Sequence, residues 1–261
     1  MDSRRIYTIE LHGVTLGYGE RILFRGVDAG FGWGEFTALI GRNGAGKSTL
    51  LRTIAALARP LEGSITVDGQ PLDTLTPREI ASLISFVSTD EVRASNLRVA
   101  DVVALGRAPY TNWIGNLRDE DKQMVARSLE LVGMSGFATK NIDRLSDGER
   151  QRVMIARALA QDTPIILLDE PTAFLDLPNK YEIGLLLRQL AHIQGKSIIF
   201  STHDLAVALE LCDTIAMIHR GGVHYGAAAQ LIADGRLQQL FDDTPLRFDS
   251  DEGRVRLREE K

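Results

Sequence analysis

Gly41-Arg42-Asn43-Gly44-Ala45-Gly46-Lys47-Ser48 reads as a loop built to hold phosphate. It fits the pattern Gly-x-x-x-x-Gly-Lys-Ser/Thr in full. Before it, Phe36-Thr37-Ala38-Leu39-Ile40 is a short apolar run that predicts a buried strand. After it, Lys47–Ala58 predicts a helix that stops ahead of Pro60. The loop therefore sits between a strand and a helix N-terminus, where glycines let backbone N–H groups turn toward an anion. Lys47 supplies a point charge for the outer phosphates, and Ser48 offers its hydroxyl to Mg²⁺. A chance glycine-rich turn would need neither the complete pattern nor this placement.

Ile165-Ile166-Leu167-Leu168-Asp169-Glu170 supplies a second element. Four apolar residues predict a buried strand, and two carboxylates follow at its C-terminal end, where α/β sheets bind ligands. The same pair could also be an acidic helix cap, since Pro171-Thr172 follows. Leu145-Ser146-Asp147-Gly148-Glu149 opens a predicted helix, Glu149–Ala160. Ser146 and the Gly148 N–H could meet a phosphate at that helix N-terminus. Ser146 with Glu149 three residues on also fits a capping box, and both readings can hold together. His203, in Ser201-Thr202-His203-Asp204, follows the predicted strand Ser197–Ser201.

Around these elements the composition is that of a globular chain. Its 261 residues are 44% hydrophobic and 25% charged, with net charge −5 and pI near 5.6. No basic excess favours nucleic-acid binding. Cys212 is the only cysteine, so no intrachain disulfide can form. The N-terminal MDSRRIYTIELHG lacks the apolar core of a secretion signal, and no apolar run approaches the ~18 residues of a membrane span. The chain is expected to be soluble, with any membrane link made through a partner. Short strands are predicted at Ile6–Leu11, Arg21–Phe24, Glu35–Ile40 and Gly63–Gly69. Residues 96–160 read as mostly helical, with Met124, Val125, Leu129 and Val132 on one face of a helix over Asp119–Val132. From Ile165 onward strands and helices alternate, with a helix at Asn179–Gln194, which implies parallel strands with crossovers. The charged residues 242–261 could turn a hairpin at Ser250–Gly253 or fray as a tail. His12, His192, His219 and His224 show no metal-ligand spacing.

The order and spacing of these motifs resemble the ABC ATPases over roughly residues 5 to 230. The resemblance implies an α/β P-loop NTPase with a mixed RecA-like core, an N-terminal antiparallel β-subdomain and a helical lobe at about 96–160. It implies an ATPase domain over 5–240 and a C-terminal segment over 241–261. ATP with Mg²⁺ would be held by Gly41, Asn43, Gly44, Ala45, Gly46, Lys47, Ser48 and Thr49. Asp169 would meet Mg²⁺ through water, Glu170 would be the general base, and His203 would contact the γ-phosphate and orient Glu170 and the water. Tyr18 stands where the family has an aromatic that stacks on adenine, though it could also be a core residue. Asp176 matches a loop that signals across a dimer. Ser146 and Gly148 would complete the site of a second copy, making ATP the glue of a head-to-tail dimer. Two departures stand out. Asp147 replaces the usual glycine, and its carboxylate should repel phosphate unless it points away. Thr89 occupies the place of the family's glutamine, and its hydroxyl could still meet Mg²⁺ or water, with a shorter reach.

Within the family, Ala104-Leu105-Gly106-Arg107-Ala108-Pro109-Tyr110-Thr111-Asn112-Trp113 resembles a Gly-Arg-x-Pro stretch of importers of iron–siderophore complexes, haem and cobalamin. Tyr110, Trp113 and Ile114 would suit a partner groove or pack internally. The implied protein is the peripheral ATPase subunit of a bacterial metal-chelate importer, on the cytoplasmic face of the inner membrane. Its partners would be a second copy of itself, an integral-membrane permease dimer and, indirectly, a substrate-binding protein, with no nucleic acid. The alternatives are a soluble ABC ATPase without a transport role, an exporter subunit, and a P-loop kinase, which would lack the signature and switch elements.

Overall fold

A computed structural model describes residues 7–19, 21–88, 96–111, 116–173, 175–242, 244–250 and 252–258. Thr89, Trp113 and Ile114 lie outside the described residues. In chain order the strands are β1 (Tyr7–Tyr18), β2 (Arg21–Gly32), β3 (Phe36–Gly41), β4 (Glu62–Val67), β5 (Gln70–Pro71), β6 (Ile84–Val87), β7 (Ile165–Leu168), β8 (Ser197–Ser201), β9 (Thr214–His219), β10 (Gly222–Gly226), β11 (Leu246–Asp249) and β12 (Arg254–Leu257). The α-helices are α1 (Lys47–Ile54), α2 (Pro77–Leu83), α3 (Val99–Ala104), α4 (Asp119–Leu131), α5 (Asp147–Ala160), α6 (Leu177–Gln194), α7 (Leu205–Leu211) and α8 (Ala228–Ala233).

The core sheet has strand order β10-β9-β3-β8-β7-β6. Pairings from β9 through β6 are parallel, and β10 closes one edge antiparallel to β9. Side chains alternate between the faces, as the twofold period of a strand demands. Leu39, Leu167, Ile199 and Ile218 join a cluster with α1 and with β1 and β2 of the second sheet. Ala38, Ile166, Phe200 and Met217 point the other way, into a cluster with α3 to α7. A fully buried side chain of this kind contributes about 1.5–3 kcal/mol, so both faces of the sheet are committed. Its C-terminal edge stays free to hold the phosphate loop.

The antiparallel sheet runs β2-β1-β4-β5. Its first two strands are 12 residues each, longer than the short strands expected between glycines. The glycines bend the ladder without ending it. Gly13 adopts φ +58° beside the register shift between Leu11 and Val14, the conformation a bulge needs and one that costs a residue with a Cβ. Helix α1 is shorter than expected. Ala56 turns left-handed at φ +57°, its N–H bonding to Thr53 O and that of Leu57 to Arg52 O, which closes the helix in a Schellman motif four residues before Pro60. At the C-terminus a hairpin forms: β11 pairs with β12, and the Phe248 N–H donates to Gln238 Oε1 at 2.8 Å.

The helical lobe explains part of the Gly-Arg-x-Pro stretch. A Cβ on Gly106 would lie 2.2 Å from the Arg157 carbonyl oxygen of α5, so only glycine lets the two backbones approach. Arg107 donates from Nε to Asp121 Oδ1 at 2.8 Å and from Nη1 to Ala160 O at 2.8 Å, tying α4 to the C-terminal end of α5. Its guanidinium also lies 4.1 Å from the centre of the Tyr110 ring. The paired Arg107 and Asp121 side chains are only 12% and 5% exposed. Hydrogen bonds from Arg107 and the Arg118 N–H hold the Asp121 carboxyl below its ordinary pKa. Truncating the arginine leaves the buried carboxylate with the Arg118 N–H but without its charged partner. Arg107→Ala is expected to lower unfolding stability by about 3–5 kcal/mol, read from urea denaturation. A loss below about 1 kcal/mol, the scale of an exposed pair, would mean that the pair does not hold the lobe.

Candidate nucleotide site

The loop Gly41–Ser48 leaves β3 and enters α1 between two walls. A Cβ at Gly41 would meet Ile218 O at 2.8 Å, and Gly46, at φ +111°, is the N-cap of α1. No side chain caps this helix, whereas Thr76, Ser146, Asp176 and Asp204 cap α2, α5, α6 and α7. The first N–H groups of α1 are therefore left for an anion, together with the positive end of its dipole. Lys47 is buried, and its Nζ donates to Gly41 O at 2.9 Å. Burial pushes its pKa below the ordinary lysine value, while Glu170 and Asp169 push it back upward.

Strand register brings the carboxylates to this loop. Leu168 pairs with Phe200, which places Asp169 beside Ser201, and Asp169 is fully buried. Its Oδ1 accepts from Ser48 Oγ at 3.0 Å and from Ser201 Oγ at 2.7 Å. Its Oδ2 is buried with no hydrogen-bond partner among the described residues. A buried, unsatisfied carboxylate oxygen beside a serine hydroxyl is the donor set of a hard divalent cation such as Mg²⁺. Ser48 and Asp169 are the residues that could hold it, directly or through water.

Glu170 adopts φ +50°, a left-handed conformation unusual for glutamate. Its Oε1 is hydrogen-bonded to His203 Nε2. Glu170 and His203 face Lys47 and Tyr18 across a cavity of about 460 Å³, which Asn43, Gly44, Gly46, Ser48 and Thr49 also line. That size suits a bound small molecule. Tyr18 is 60% exposed, so it is not a core residue, and its hydroxyl lies 2.7 Å from Thr49 Oγ1. An exposed aromatic face anchored at its tip beside the phosphate loop is placed to stack on a base.

Of the predicted residues, Gly41, Ala45, Asp169, Ser146, Gly148 and Asp176 do not line this cavity, and Asp169 is joined to it through Ser48. Ser146 caps α5 in a capping box: its hydroxyl accepts the Glu149 N–H, and Glu149 Oε2 accepts the Ser146 N–H at 2.8 Å. Gly148 lies against Leu175, and Asp176 caps α6 by accepting the Asn179 N–H at 3.1 Å. The carboxylate of Asp147 is held by Arg150 at 2.8 Å, which offsets the charge that would repel phosphate. Ser201, two residues before His203, was not among the predicted site residues, and a hydroxyl closing an apolar strand was the available signal. Nor were Arg21 and Leu23, which line the cavity from β2, among them. Nothing in their pattern separates them from other strand residues.

The ABC transporter family model matches residues 24–173. The achromobactin transport ATP-binding protein of Dickeya dadantii is 36% identical over 230 residues, 88% of this chain and 86% of that protein. The iron(3+)-hydroxamate import ATP-binding protein of Bacillus subtilis is 36% identical over 227 residues, 87% of this chain and 84% of that protein. Among solved structures, a metal-chelate type ABC transporter in an inward-facing conformation superposes with TM-score 0.79 at 28% identity, covering 90% of this chain and 89% of that one. A dimeric ATP-binding cassette in a post-hydrolysis state with ADP and Pi superposes with TM-score 0.74 at 31% identity, covering 84% and 98%. With a phosphate loop, Glu170 and His203 meeting at one cavity, Asp169 bonded to Ser48 behind it, and a family match over more than half its length, this chain belongs to the ABC transporter family, as an ATP-binding and ATP-hydrolysing member.

Proposed function

We propose that the chain is the ATPase subunit of an importer of metal chelates, of the iron–siderophore, haem or cobalamin class. The observation that carries this reading is similarity to siderophore-import subunits along most of both chains, which includes the helical lobe and not only the phosphate loop. Two copies would close around two ATP molecules, each phosphate loop facing Ser146 and Gly148 of the other copy. That arrangement accounts for the absence of these two residues from the cavity of their own chain. Closure would drive a permease dimer at the cytoplasmic face of the inner membrane. Among the described residues no helix is long and apolar enough to cross a membrane, so the passage itself falls to the partner.

The geometry supports the following roles. The open N-terminus of α1 and Lys47 bind the β- and γ-phosphates, and Tyr18 stacks on adenine. Ser48 and Asp169 hold Mg²⁺, which when bound neutralises phosphate charge in the reaction. Glu170 takes the proton of the attacking water as that oxygen bonds to the γ-phosphorus and the bond to ADP breaks. His203, bonded to Glu170, keeps the carboxylate aimed at the water. A base so placed contributes roughly 10²–10⁴ in rate. ATP shifts the pair of subunits toward the closed state only by the amount that it binds that state better.

Tyr18→Ala is expected to weaken ATP binding by about 1–3 kcal/mol, the range for aromatic stacking on a base, while Tyr18→Phe retains most of the affinity. Equal losses in both would assign the effect to the Thr49 contact. Lys47→Ala is expected to abolish ATP binding. Glu170→Gln is expected to bind ATP without turning it over and to trap the closed dimer. Tagged Glu170→Gln protein, recovered from gently solubilised membranes with ATP, should bring down a polytopic permease in equal amount. Recovery with soluble partners alone, or a persistent monomer with ATP and permease present, would overturn the importer reading.

A further inference from the structure

Ser201, the last residue of β8, is completely buried beside the two carboxylates. Its Oγ makes two hydrogen bonds whose directions are settled by chemistry. The Glu170 N–H can only donate, so the serine oxygen accepts it, at 2.8 Å. The serine's own proton is then free for Asp169 Oδ1, at 2.7 Å. One hydroxyl thus holds the side chain of one acid and the backbone of the next.

We propose that Ser201 is a positioning residue for ATP hydrolysis, whose hydroxyl fixes Asp169 and Glu170 in their working orientations. The proposal rests on the ATPase reading of the site. Two observations support a role beyond packing. Oδ1 of Asp169 has two hydroxyl donors, Ser48 and Ser201, while Oδ2 has none. If Ser48 turns toward a cation, Ser201 is the donor that keeps Oδ1 satisfied and leaves Oδ2 for the cation. Glu170, for its part, holds a left-handed backbone at φ +50°. Such a conformation persists only when its surroundings impose it. The bond from its N–H to Ser201 and the bond from its carboxylate to His203 fix the residue at both ends. Without the serine oxygen the peptide between Asp169 and Glu170 can rotate, and the carboxylate leaves the position from which it would take a proton. Ser201 does not line the cavity, so nucleotide binding should not depend on it.

The test compares Ser201→Thr with Ser201→Val, which share a shape and differ in the hydroxyl, with Ser201→Ala and the unaltered full-length chain alongside. The valine and alanine variants should lose about 10- to 100-fold in kcat, a part of what a general base contributes, with KM for ATP changed by less than about threefold. The threonine variant should keep kcat at least about tenfold above the valine variant. ATP binding in EDTA should be equal in all four proteins. Binding of Mn²⁺ to the ATP-loaded protein, followed by electron paramagnetic resonance, should weaken in the valine and alanine variants alone. Equal kcat and equal Mn²⁺ binding in folded threonine and valine variants would overturn the proposal, as would a loss confined to KM. If the alanine variant does not fold, the threonine–valine comparison decides. An unaltered chain that hydrolyses no ATP would instead count against the ATPase reading on which the proposal rests.

Discussion

The buried carboxylate of Asp169 is the constraint around which the site is arranged. A charge with no exposure to water is tolerated only where hydrogen bonds or a cation compensate it. Compensation here comes from two directions, through Ser48 on α1 and Ser201 on β8. The phosphate loop must therefore end in a serine at the first turn of its helix, and β8 must sit next to β7 in a register that places residue 201 opposite residue 169. Both conditions are met by the strand order β3-β8-β7, which inserts a sequence-distant strand between the loop-bearing strand and the acidic one. Desolvation of the carboxylate thus links the topology of the sheet to the chemistry at its edge.

Two helix N-termini in this chain are prepared differently. Helix α1 begins at Gly46 with no side-chain cap, so its N–H groups are available to phosphate. Helix α5 begins at Ser146 and satisfies its own terminus through Glu149, whose hydrogen bonds to Ser146 hold its carboxyl below the ordinary pKa. The first is a site ready for an anion, and the second is satisfied within the chain. Asp147, paired with Arg150, adds a neutralised couple beside the second terminus. The couple is largely exposed, with Asp147 71% accessible, so it holds little energy in water. Desolvation on closure of two copies would strengthen it, because a lower local dielectric raises every charge interaction.

Motifs whose meaning lies in adjacent residues were legible in the sequence. The phosphate loop, the Asp169-Glu170 pair and His203 each sit at a strand end that apolar runs announce, and the structure brings the loop, Glu170 and His203 to one cavity with Asp169 bonded to Ser48 beside it. What depended on distant neighbours was not legible. The continuation of β1 and β2 through their glycines rests on bulges that only the paired strand defines. The early end of α1 comes from a left-handed Ala56, a conformation that favours glycine and that alanine does not advertise. Ser201 looked like an ordinary strand residue because its partners lie 31 and 32 positions away. Tyr18 could be a core or a binding residue from sequence alone, and its exposure decides against the core.

The Gly106-Arg107 segment shows how a resemblance can be correct about family and still divide into different physical roles. Gly106 is required by the approach of α5, and Arg107 by the buried Asp121 and the end of α5. Neither residue is free to recognise a partner. Tyr110 is partly engaged by the Arg107 guanidinium, and burial raises its hydroxyl pKa. The pair therefore serves to brace the lobe, so that whatever surface the lobe presents is carried on a rigid support. Conformational coupling requires that support. A permease can feel the closing of two ATPase subunits only if the lobe moves as one body with the elements that close, and α5, whose N-terminus would face the second copy under the proposed arrangement, is the element that Gly106 and Arg107 secure.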